Sequence, residues 1–401
     1  MVYHLLETVR SLSSTSWRRG SWAVGAGGIV AIAILSWVLL HEPVNEHRTI
    51  QGPRSGAESI SGIPLRIESR NRALLSPDSD EAVAVTRMLR EPRSEPLNVS
   101  TCCHFLRLYG LGPFSHARFT SGRDVVDALT NQERSKVVLG EPMFFPTRSG
   151  IRYREIAIQT ISTGENHRDF CLANFAELGL PLSTPMTVAD GTYSLHDLLR
   201  DSVENFTIDQ TELGWTAIAY ALYMHESGGW TNRYGESFRF DDVARKLIQA
   251  PLGRASCAGA HLLYAMTILA RADSTERFLT ETAREELLGH LRKLSRQAVT
   301  SQSPDGFWRL NWFVERDRKS APPTPEFDDL GARLLATGHL VEWLELLPEE
   351  LQPPDDCYIR AARWLGAGIR EKTPIVKPGD LCPCVHAVCS VRKLLGQKAG
   401  Q

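Results

Sequence analysis

Apolar residues recur along this chain in runs that match a helical period. Residues 22–40, WAVGAGGIVAIAILSWVLL, form an uncharged run. At about 1.5 Å per residue the run spans about 28 Å, the thickness of a bilayer core. Arg10, Arg18 and Arg19 precede it, and Glu42 and Glu46 follow it. The positive-inside rule then predicts a cytoplasmic N-terminus and an extracytoplasmic body. A cleaved signal peptide is the alternative, but the run is long for one and no A-x-A site follows. From His167 onward, helices are predicted over 167–179, 194–206, 212–225, 237–250, 256–272, 280–302, 328–347, 354–369 and 381–396. Those around 217–223, 260–270 and 334–346 are apolar on most faces, which predicts burial on most sides. The helices between them keep a polar face, as in TAREELLGHLRKLSRQ. Residues 133–165 hold β-branched and aromatic residues around an RSG turn, which predicts a hairpin or an irregular insertion.

The buried helices recur at a rough period. His167 to Trp215 is 48 residues, Trp215 to His261 is 46, and His339 to His386 is 47. A longer gap holds the segment SPDGFWRLNWFVERDRKSAPPTPEF. Such a period predicts stacked supersecondary units. The predicted class is all-α, an α/α toroid of about five to six helical hairpins behind an N-terminal transmembrane helix. A superhelical α-solenoid is the rival. The predicted layout is a cytoplasmic tail over 1–21, the anchor over 22–40, a flexible stalk over 41–97, the toroid over 98–396 and a tail over 397–401.

Within SQSPDGFW, Gln302, Gly306 and Trp308 make a Q-x3-G-x-W pattern. It resembles the QW motif of terpenoid cyclases and prenyltransferase-like toroids, where Gln and Trp lock the loop after an outer helix. Residues 165–390, with HRDFCLANFAELGLPL and LLATGHLVEWL, also resemble a group of bacterial membrane-anchored proteins of unassigned activity. These resemblances imply a fold and a membrane anchor, not a reaction.

Histidines stand near the predicted starts of the buried helices: His167, His261, His339 and His386, with His104 as a further candidate. Parallel inner helices would bring these starts to one rim, so the histidines are predicted to share a cavity. A helix N-terminus disfavours imidazolium, which predicts neutral rings suited to act as ligand or base. Glu212 and Trp215 open the one inner helix that lacks a histidine and belong on the same rim. Glu212 is the candidate acid or base, and Trp215 a stacking platform. Arg168 and Asp169 are further binding candidates, with an ion-paired helix start as the plainer reading. Each histidine could equally satisfy local backbone inside the core.

Charge and cysteine content narrow the classes. With 45 basic against 47 acidic side chains, the chain lacks the basic face a nucleic-acid binder needs. Eight cysteines are spread over the chain without a C-x2-C pair, which removes a zinc ribbon. Cys257 with His261 is an i,i+4 pair, and Cys384 lies close to His386. Together they could bind zinc, as in lanthionine-cyclase-like toroids, but the adjacent Cys–His pair of those toroids is absent. No metal or cofactor is therefore assigned. EFDD at 326–329 resembles the acidic motif of alkene-protonating cyclases, with an ordinary helix start as the plainer reading. The functional expectation is a membrane-anchored extracytoplasmic protein that acts on or binds cell-envelope carbohydrate, or a small molecule, through a His/Glu-lined cavity. The alternatives are a non-catalytic envelope scaffold and a terpenoid or lipid enzyme.

Overall fold

In the computed structural model the described residues are 62–69, 72–155, 165, 167–189, 191–314, 329–373 and 378–397. The first elements are α1 (Asp80–Arg90), α2 (Val99–Tyr109), β1 (Pro113–His116), β2 (Phe119–Ser121), α3 (Gly122–Thr130) and α4 (Gln132–Leu139). Then come β3 (Phe144–Pro146), β4 (Ile151–Tyr153), α5 (Phe170–Glu177), β5 (Pro185–Val188), β6 (Gly191–Ser194), α6 (Leu195–Glu204) and α7 (Leu213–Tyr223). The remainder is β7 (Trp230–Thr231), β8 (Ser237–Phe238), α8 (Phe240–Gln249), α9 (Ala260–Glu276), α10 (Glu281–Ser301), α11 (Leu330–Leu346), α12 (Asp355–Lys372) and α13 (Leu381–Leu394). Strands pair only within hairpins: β1 with β2, β3 with β4, β5 with β6 and β7 with β8.

Polar caps set many helix starts. Ser79, Asn98, Ser121, Asn131, Thr280 and Asp329 each accept a backbone N–H of the first turn. In the EFDD motif Asp329 is thus an N-cap, while 326–328 lie outside the described residues. The Asp197 carboxylate accepts the Ser194 N–H at 2.9 Å, closing the predicted capping box at α6.

Burial follows the apolar pattern. Every residue of α7 is buried, because LGWTAIAYALY has no polar face. Buried helices pack in series: α2 on α5, α5 on α7, α7 on α9, α9 on α11, α11 on α13, and α13 again on α2. Amphipathic helices cover this series from outside: α10 lies on α9 and α8, and α12 lies on α11, α13 and α1. The 302–308 loop is locked as the QW pattern suggests. The fully buried Trp308 donates its indole N–H to Ala298 O at 2.7 Å. Gln302 Nε2 donates to Gly306 O at 3.0 Å and Cys357 O at 2.9 Å.

The described residues are mostly helical, with four short β-hairpins. The predicted fold class needs correction in two respects. A toroid of like hairpins is not shown. Between α2 and α5 the chain places two β-hairpins and two helices where the repeat calls for one outer helix. Finally, among the described residues no helix is long and apolar enough to cross a membrane. The predicted anchor, residues 22–40, lies outside the described residues. No helix among the described residues supports the expected transmembrane helix, signal anchor or single-pass extracytoplasmic placement.

The chain divides into a unit over 1–53, wholly outside the described residues, and a unit over 54–401. Within the stretch expected to be a stalk, the Leu65 N–H donates to Leu222 O at 2.8 Å, and α1 packs on α12 and α13. That described part is built onto the body because Ala82, Ala84, Val85 and Met88 give α1 a buried face.

Candidate functional site

The buried series of helices encloses a cavity of about 350 Å³. Its wall carries His104, His167, His261, His339 and His386. Neighbouring rings touch in sequence: His167 to His261 at 5.0 Å, His261 to His339 at 5.8 Å, His339 to His386 at 3.6 Å, and His386 to His104 at 5.4 Å between centroids. The predicted convergence of histidines is observed. The predicted reason for it holds only in part. His261 stands in the first turn of α9, and His167 just precedes α5. His104, His339 and His386 instead lie well inside α2, α11 and α13.

Two carboxylates orient the rings. Glu212 caps α7 with a left-handed backbone, φ +56°. Its Oε2 accepts the His261 Nδ1–H at 3.3 Å and lies 3.4 Å from His167 Nδ1, while Oε1 accepts from Ser256 Oγ at 2.5 Å. Burial works against its charge, but His167 and His261 outweigh that and hold the carboxyl well below the usual range. Glu342, buried on α11, accepts the His386 Nδ1–H at 2.7 Å. Burial raises its pKa, yet His386 and Arg107 overcome this and bring it down to about 2. Arg107 also pairs with Glu177 at 3.4 Å, and it walls this cavity off from a neighbouring one of about 480 Å³.

The imidazoles differ in charge. Burial, with His386 nearby, brings His104 down to about 3. Burial and His386 lower His339 well below its ordinary value. Burial also lowers His386, against the pull of Glu342. These three are neutral near pH 7, as expected. His261 is the exception: burial disfavours its charge, but Cys257 and Glu212 outweigh burial and raise it to about 9.

A carbonyl or carboxylate can only accept, so a Nδ1 facing one carries the proton. His104 Nδ1–H donates to Ser100 O at 2.6 Å. His261 and His386 donate theirs to Glu212 and Glu342. In the neutral tautomer so fixed for His104 and His386, Nε2 is left as the lone-pair donor, which is how metal-binding imidazoles are usually held; His261 must first release its second proton to offer Nε2 in the same way. Two thiols join them. Cys257, His261 and His339 bring ligand atoms within 4.8 Å of one another, and so do His104, Cys382 and His386. Cys257 sits at φ +51°, a strained conformation for a non-glycine residue. The His339 Nε2 is buried without a hydrogen-bond partner.

The remaining predicted residues fare differently. Trp215 lines the cavity, 4.9 Å from the His261 ring and 4.6 Å from Phe170, as part of a packed wall. Arg168 and Asp169 do not reach the cavity. Arg168 donates to Asn205 O at 2.9 Å, and Asp169 accepts from Ser202 Oγ at 2.8 Å and Thr216 Oγ1 at 2.5 Å. They tie α5 to α6 and α7. Cys384 is buried elsewhere, near Asp380 and Lys372. The cysteine in the cavity is Cys382, and the signal for it was a spacing: C-x3-H occurs in CAGAH and again in CPCVH. Glu342 was also missed, although an acid three residues after a histidine in an apolar helix is a usable signal, one that Glu345 shares in part. All eight cysteines are free thiols.

No family model matches the chain. No curated protein and no solved structure matches it either.

Proposed function

We propose that this protein is a metal-dependent enzyme that binds a zinc-class divalent ion and a small polar substrate in the His/Cys cavity. One observation carries the reading. His104, His261 and His386 each have Nδ1–H held by a fixed acceptor, and they stand beside the thiols of Cys257 and Cys382. Thiolate and imidazole donors favour zinc or cobalt over magnesium or calcium. Burial raises the Cys382 thiol well above its ordinary value, with Cys257 adding to it, so thiolates form here at a cost that a bound cation offsets. Such an ion supplies Lewis-acid activation of a carbonyl or of water. The chain's own contribution is to hold the imidazoles in one tautomer and to offer Glu212 as a charged hydrogen-bond acceptor beside His167.

The cavity volume favours a small ligand over a carbohydrate polymer. An isoprenoid pocket needs an acid above its apolar depth, whereas this wall sets imidazoles and thiols beside Phe170, Trp215 and Tyr264, with the carboxylates of Glu212 and Glu342 behind the imidazoles. A non-catalytic binder remains distinguishable, since it would hold the ion without turning over any substrate. The deciding measurement is metal content of the purified full chain by mass spectrometry, after dialysis against zinc and then buffer. At least stoichiometric zinc in the wild type, and less of it in each of His261→Ala and Cys382→Ala, is the expected result. A folded wild-type chain without zinc overturns the reading.

A further inference from the structure

We infer that the cavity is built for two metal ions held side by side. The inference rests on the metal reading above and goes beyond it in number and arrangement. Four imidazoles and two thiols make six donors, more than the four a tetrahedral ion takes. Among the described residues four donor clusters occur; two of them, each with a thiol, share no residue, while His167–Glu212–His261 and His339–Glu342–His386 overlap these two. Of the two separate sets, one is Cys257, His261 and His339, and the other is His104, Cys382 and His386. Each set has the same composition, one thiol and two imidazoles. Each contains a Cys and a His four residues apart: Cys382 and His386 share one face of α13, whereas Cys257 reaches His261 from the left-handed turn that precedes α9. A carboxylate stands behind one imidazole of each set, Glu212 behind His261 and Glu342 behind His386, and Glu342 Oε2 also lies 3.8 Å from His339 Nδ1.

The sets adjoin, because the His339 and His386 rings lie 3.6 Å apart. The unpartnered, buried Nε2 of His339 gains a partner when its set is filled. Three protein donors per ion leave a position open on each, the arrangement of catalytic rather than structural sites. Two open positions side by side suit a substrate oxyanion that bridges them, as in phosphate or carboxylate chemistry.

The test is a titration of the metal-free full chain with cobalt(II), read by the visible bands of tetrahedral thiolate coordination and by equilibrium dialysis. Two ions per chain are expected, with Cys257→Ser and Cys382→Ser each retaining one. Circular dichroism reports whether each variant stays folded, and the wild-type count alone decides if one does not. A single ion per chain overturns the two-ion arrangement and leaves the metal reading standing. No ion overturns both. A folded single variant that loses both ions shows one shared site and overturns the separation into sets.

Discussion

Glu212 combines several costs in one side chain. It occupies a left-handed conformation, it is charged, and it is largely enclosed. Residues of this kind persist where the surroundings over-determine them, and such positions cluster at functional sites. What over-determines Glu212 is a set of three partners, Ser256 Oγ, His261 Nδ1 and the adjacent His167 Nδ1. The residue should therefore matter to the ligand that His261 provides. Glu212→Gln keeps the shape but removes the charge that makes His261 a better donor. Zinc affinity is expected to fall by about 10- to 100-fold, as for other partners that sit behind a metal-binding histidine. Competition against a chromophoric chelator measures this directly, and unchanged affinity would show that the Glu212–His261 bond does not serve the metal. The histidines and Glu212 were legible because they recur near the predicted starts of the apolar helices. Cys382 was not, because CPCVH offers two thiols and only the backbone of α13 shows that the i,i+4 one faces the cavity.

Helix α11 approaches α13 most closely at Gly338, where the absence of a side chain is used. A Cβ there would lie 2.7 Å from the carbonyl carbon of His386 and 2.8 Å from the nitrogen of Ala387. Both are backbone atoms, so neither can swing aside. The next residue on each helix is part of the site: His339 follows Gly338, and His386 is the residue met. Gly338→Ala must separate the helices and with them the two stacked imidazoles. A loss of about 1–3 kcal/mol is expected, in the range of overpacked cores, together with weakened metal binding. Gly289→Ala is the control. Gly289 lies within α10 with nothing near its added Cβ, so the change should stabilise by up to about 1 kcal/mol. Urea unfolding and metal titration on both variants make the comparison, and equal behaviour of the two would mean that the close approach is not a constraint. At this scale the sequence was most readable where all faces were apolar, as in α7 and α11. The start of α11 was also close to its predicted place, yet His339 lies at mid-helix. The site assembles from different depths because helix contacts, not helix starts, decide what meets. The short strands β7 and β8 carry too few alternating residues to announce themselves.

Stability of the whole body should depend on pH through Glu165, a carboxyl the proposed chemistry does not use. It is buried, and burial is the main influence on it; nearby Asp169 adds to the rise, while its bond from the Cys171 N–H at 2.5 Å opposes it. The outcome is a carboxyl pushed up to about 8 from an ordinary value of 4.5. Below the ordinary value, folded and unfolded chains both hold the proton, and the residue adds no pH dependence. Between about 4.5 and 8 the unfolded chain releases it while the folded chain keeps it. The folded state then binds more protons, so stability falls as pH rises through that window and levels off above it. Other groups titrate over the same range, among them the metal-site histidines, so the wild-type curve alone does not isolate Glu165. The difference between wild type and Glu165→Gln does, when both are measured with a chelator to hold the cavity free of metal. Glutamine keeps an acceptor for the Cys171 N–H and cannot ionise. The variant should gain stability relative to wild type steadily from about pH 4.5 to about pH 8, then run parallel to it. Thermal unfolding across that range supplies the curve. Parallel behaviour throughout would mean that Glu165 ionises in the folded protein at its ordinary value.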